Sequence, residues 1–148
     1  MKFLILLTVL IPHLIYANDC IYDDNSYSDF AKDYVSKQKQ ATLSEDFEIT
    51  TTYKDSLVIV NGGGCSHLGY DIHYTLKQNI NESEFFNLVI ELTNIFGVWI
   101  GYNDQIKNAI AENKWAKEGN NYSFDFNGYP IFDASLNDQE LYIEFYIN

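Results

Sequence analysis

The stretch Leu57–Leu76, LVIVNGGGCSHLGYDIHYTL, decides how the rest of the chain is organised. Leu57–Val60 is a short, β-branched apolar run, and the glycines at 62, 63 and 64 leave the backbone free for positive φ, which predicts a turn. Beyond it Leu68, Tyr70, Ile72, Tyr74 and Leu76 alternate with Gly69, Asp71, His73 and Thr75. A period of two over this length is a strand with one face on a core and the other on solvent.

Upstream, Phe47, Ile49, Thr51 and Tyr53 alternate with Glu48, Thr50 and Thr52, and Lys54-Asp55 turns the chain into Leu57–Val60. Three antiparallel strands are therefore predicted in a row. Before them, Ser28 is placed to cap a helix reaching about Lys39, with Tyr27, Phe30, Ala31, Tyr34 and Val35 on one stripe.

Downstream, Asn81 followed by Glu84 has the spacing of a capping box for a helix ending at Gly97. Its apolar residues, Phe85, Phe86, Leu88, Val89, Ile90, Leu92, Ile95 and Phe96, cover an arc of roughly 220°, more than one sheet can bury. Another helix is expected against it. Val98–Tyr102 reads as a short strand, and Asn103 or Asp104 as the cap of a weaker helix carrying Ile106, Ala109 and Ile110. Trp115 falls off that stripe and is expected to pack after the helix ends.

In the last part Tyr122, Phe124 and Phe126 alternate inward, Asn127-Gly128 is a hairpin turn, and Tyr129–Leu136 returns. Asn137-Asp138 leads into a final strand with Leu141, Ile143, Phe145 and Ile147 inward and Tyr142, Glu144 and Tyr146 outward. The predicted fold is α+β, an antiparallel sheet of about six strands in the order α-βββ-αα-βββ, with helices mainly on one face.

Residues 1–17 have the layout of a signal peptide: Lys2, an apolar run from Phe3 to Ile11, and Ala17 at the expected cleavage point. The run is well short of the roughly 20 residues that span a bilayer. Export to the periplasm or the extracellular space is expected, with no membrane insertion after cleavage and residues 18–148 forming a single domain. In an oxidising compartment Cys20 and Cys65 are expected to pair, closing a loop worth about 4 kcal/mol in the chain-entropy model.

Charge narrows the partners. Asp and Glu number 21 against nine Lys and Arg, and all nine are lysine, for a formal net charge of −12. Phosphate backbones and anionic lipid are unfavourable partners for such a surface, whereas cationic ones are steered toward it.

Chemistry-bearing residues are few. Cys65, His67 and His73 are zinc-ligand types without a fourth member, and Asp23, Asp24, Asn25 and Asp29 lack calcium-loop spacing, so neither metal nor cofactor is expected. Asp71 and His73 share a strand face, close enough for the carboxylate to orient the imidazole, with Ser66 nearby, but no catalytic motif accompanies them. Asn81-Glu82-Ser83 and Asn121-Tyr122-Ser123 fit the glycosylation pattern.

Outward positions collected across the strands are Glu48, Thr50, Thr52, Asp71, His73, Thr75, Ser123, Asp125, Tyr142, Glu144 and Tyr146. Of these, Glu48, Asp71, His73, Asp125, Tyr142, Glu144 and Tyr146 form the expected protein-binding face, suited to a basic protein partner. The expected role is that of an exported, non-enzymatic binding protein, such as an inhibitor or immunity protein against a cationic toxin or lytic enzyme. A small secreted hydrolase using His73 and Asp71, and an envelope structural or accessory protein, are the alternatives.

Overall fold

The computed structural model describes residues 25–63, 68–126 and 131–147. The expected signal peptide, both cysteines of the expected bridge, Ser66, His67 and the expected Asn127-Gly128 turn lie outside these residues.

Helix α1 (Asn25–Lys37) is followed by β1 (Thr42–Leu43), β2 (Ile49–Tyr53), β3 (Ser56–Gly63) and β4 (Leu68–Thr75). Two helices, α2 (Glu82–Phe96) and α3 (Asn103–Ala111), then lead to β5 (Trp115–Glu118), β6 (Asn121–Phe124), β7 (Ile131–Asn137) and β8 (Glu140–Ile147). All neighbouring strands are antiparallel, in the order β1-β2-β3-β4-β8-β7-β6-β5. The architecture is thus two four-stranded meanders, joined at the centre by β4 against β8.

The α+β class and the antiparallel sheet are as expected, but the sheet has eight strands rather than about six. One of the two extra strands, β1, is a two-residue edge with no periodicity to read. The other, β5, ends at a tight turn in which Glu118 pairs with Asn121 and Gly119 has φ 61°. That Gly119-Asn120 dipeptide is a hairpin signal, and Trp115 opens the strand before it, packing after α3 has ended against Phe86 of α2 and Tyr122.

Three other expectations are corrected. Residues 98–101 form a turn in which the Ile100 amide donates to the Gly97 carbonyl, not a strand. Ser28 lies inside α1, its hydroxyl donating to the Asn25 carbonyl, and the helix stops at Lys37. Gly62 and Gly63 belong to β3 and pair with Tyr70 and Gly69, and of the two Gly63 takes the expected positive φ, 108°. Gly62 is there for space: a Cβ would stand 2.5 Å from the Tyr27 ring. Tyr27 is buried against it and donates its hydroxyl to the Val60 carbonyl at 2.9 Å, which fastens α1 to β3.

The core follows strand parity. Ile49, Val58, Val60, Tyr70, Ile72, Tyr74, Phe132, Ala134, Leu141, Ile143 and Phe145 point to one side of the sheet and are buried there. The Asn81–Glu84 capping box is formed in full, with the Asn81 side chain accepting from the Glu84 amide and the Glu84 carboxylate from the Asn81 amide. Helix α2 rests on the sheet through Phe85 against Tyr122 and Phe86 against Phe124. Its broad apolar arc is completed by Tyr34 of α1 against Phe96 (5.2 Å between ring centroids) and by α3. Among the described residues no helix covers the opposite face, and none is long and apolar enough to cross a membrane.

Candidate functional site

The face that no described helix covers has a polar centre built by register. Pairing of β4 with β8 sets Asp71 opposite Glu144 and His73 opposite Tyr142. Pairing of β7 with β8 sets Asp133 opposite Glu144 on its other side, and Ile131 opposite Tyr146. Side chains directly opposite in antiparallel strands have Cβ atoms about 4.5–5.5 Å apart, so three carboxylates stand in a row across β4, β8 and β7. Asn61 of β3 extends the row, its amide donating to Asp71 Oδ1 at 3.2 Å.

Around that row the aromatic and imidazole groups are close. His73 Nε2 lies 3.2 Å from Asp71 Oδ1, and the His73 ring centroid is 4.6 Å from that of Tyr142. Tyr142 and Tyr146 flank Glu144 along β8 on the same face. Both phenols are pushed above their ordinary value, first by burial, with the Glu144 and Asp71 charges and a hydrogen bond to Glu144 acting in the same direction. Tyr146 lies over Gly69, where a Cβ would come within 2.4 Å of its ring, so the absence of a side chain there gives the tyrosine its seat. Next to the row, Asn121, Ser123, Asp133, Ser135, Tyr142 and Glu144 line a shallow depression of about 260 Å³.

The raised phenols give a checkable pH dependence. A tyrosine whose folded pKa is raised stabilises the fold fully below its ordinary value near 10, and that contribution is lost as pH climbs above it. Buried Tyr27 and Tyr70 act in the same sense, burial being the main cause in each. The unfolding midpoint should fall between about pH 8 and about pH 11, and fall less steeply in Tyr142→Phe. Parallel curves for the two proteins would count against the assignment.

Five of the expected face residues, Asp71, His73, Tyr142, Glu144 and Tyr146, are brought together. Glu48 is not part of the ladder: it precedes β2, its amide donating to Ser44 Oγ and its carbonyl accepting from the Ser44 amide. Asp125 lies past the end of β6, where its amide donates to the Lys114 carbonyl. Three strand spacings, about 14 Å, separate β6 from β4, so Asp125 belongs to the margin. Parity places residues outward but does not say how far apart on the sheet they stand.

Asp133 was absent from the expected face. Phe132 beside it is buried and points inward, and that neighbour was the available signal.

Chemically, the Asp71–His73 contact can orient an imidazole. The hydroxyl two residues on, Thr75, donates to Glu140 at 3.3 Å rather than to His73. Among the described residues no group of three or more His, Cys, Asp and Glu side chains is placed to hold a metal ion. No protein family, curated protein or solved structure matches the chain.

Proposed function

We propose that the chain is an exported acidic binding protein whose open sheet face masks a basic protein partner, as an inhibitor or immunity protein against a cationic toxin or lytic enzyme would. The observation that carries this reading is the row Asp71–Glu144–Asp133, set among two tyrosines and a histidine on the face free of described helices. Like charges opposite one another on adjacent strands destabilise a sheet, and a cationic partner relieves that repulsion on docking.

Two features of the surroundings support a contact surface over a solvated one. Of the three large hydrophobics exposed among the described residues, Leu57 and Ile131 lie on this face by strand parity, with half-buried Ile59 between β2 and β4. The tyrosines are half-buried before any partner arrives, so they offer ordered amphipathic area at small entropic cost.

The test is capture. Immobilised protein should retain a basic protein from the secreted proteins of its own organism, and that complex should associate more slowly as salt is added. Retention that is unaffected by salt, or equal retention by a variant carrying Asp71→Lys and Glu144→Lys, would remove this face from the reading.

A further inference from the structure

We infer that the side chains this face takes from its partner are arginines rather than lysines. This rests on the docking reading above and makes its chemistry specific. Glu144 is at the centre of a cross: Asp71 and Asp133 stand on either side of it along the row, and Tyr142 and Tyr146 before and after it along the strand. Carboxylates and aromatic rings therefore alternate around one point, beside a depression that Ser123, Asp133, Ser135 and Tyr142 help to line.

An ammonium group uses that arrangement less fully. It is a compact, strongly hydrated point charge that can sit over a ring, as Lys54 does over Tyr53 and Lys117 over Tyr122, but it cannot stack on the ring or fork onto a carboxylate. A guanidinium is flat and more weakly hydrated, and it forks onto a carboxylate with two N–H donors while its plane stacks on a phenol ring. Its stem can lie against Ile131, which pairs with Tyr146.

The chain's own lysines do not neutralise the row: Lys37, Lys54, Lys77, Lys114 and Lys117 pair with Asp33, Glu91, Asp55, Glu112 and Glu82, and among the described residues no lysine ion pair goes to the row. A second copy of the chain is an unfavourable occupant, because a net charge of −12 would set like charge against like, and the sequence has no arginine to offer.

The experiment uses two synthetic peptides of equal length and equal net charge, one of alternating arginine and glycine, the other of alternating lysine and glycine. Titrated into the full protein at about 0.15 M salt, the arginine peptide should bind about tenfold more tightly. Tyr142→Leu should reduce that preference by costing the arginine peptide more than the lysine peptide, and Tyr142→Phe, which keeps the ring, should restore it. Tyr146→Leu provides the same comparison if the first variant does not fold. Equal affinities for the two peptides, or an unchanged ratio in the leucine variants, would overturn the arginine assignment while leaving the masking of a basic partner intact. Binding of neither peptide would overturn both.

Discussion

Replacing Phe145 by alanine should lower the unfolding free energy by about 3–5 kcal/mol, the largest stability loss expected from a single substitution here. Phe145 has no exposed surface and lies on the central strand β8. It stacks on Tyr70 of β4 at 5.4 Å with a 15° angle between rings, and meets Phe132 of β7 at 6.1 Å and Tyr102 at 5.4 Å. One side chain therefore joins both meanders to the segment that leads into α3. Its removal leaves a cavity whose walls belong to different elements and cannot collapse together, and domains of this size are stable by only about 5–15 kcal/mol. Urea unfolding of Phe145→Ala beside Leu57→Ala gives the comparison, since Leu57 is 44% exposed and its truncation should change stability by less than about 0.5 kcal/mol. Similar losses in the two variants would mean that the core is not centred where β4 meets β8.

The second large effect is on binding. Reversing charge at two members of the row, Asp71→Lys with Glu144→Lys, should weaken the captured basic partner's affinity by about thirtyfold or more, equivalent to about 2 kcal/mol, and should flatten its dependence on salt. Stability should not follow. Reversal turns Glu144 with Asp133 into an opposite-charge pair but leaves two lysines opposite each other at 71 and 144, so the unfolding midpoint should change little. A loss of affinity with preserved stability separates docking from folding in one variant. Unchanged affinity would exclude the face, and lost affinity with lost stability would reduce the effect to misfolding.

Much of the local structure was legible in the sequence, for reasons that can be named. The β4 alternation from Leu68 to Leu76 was read correctly because period-two burial is a property of one strand alone. The capping box was read correctly because its donors and acceptors lie within one turn of chain. Lys54-Asp55 was read as a turn, and both residues take positive φ, 50° and 57°, in a two-residue connection between Tyr53 and Ser56. Where the reading missed, a tertiary contact outweighed a local preference. Gly62 looked like part of a turn, but it is a flat place in β3 on which Tyr27 lies.

The site divides along the same line. Parity assigned Asp71, His73, Tyr142, Glu144 and Tyr146 to the outward side without any knowledge of neighbours. It could not say that they adjoin, because residues far apart in the chain meet only if β4 pairs with β8 and β8 with β7. It also could not say that Glu48, ahead of β2, and Asp125, past the end of β6, stand apart from the other five.

The Leu57–Leu76 stretch therefore determined by itself that there are strands here, and which side chains face out. Strand pairing is a non-local choice, set by how the two meanders close around Phe145 and Tyr70. That choice alone turned scattered outward acids into one row at the centre of the sheet.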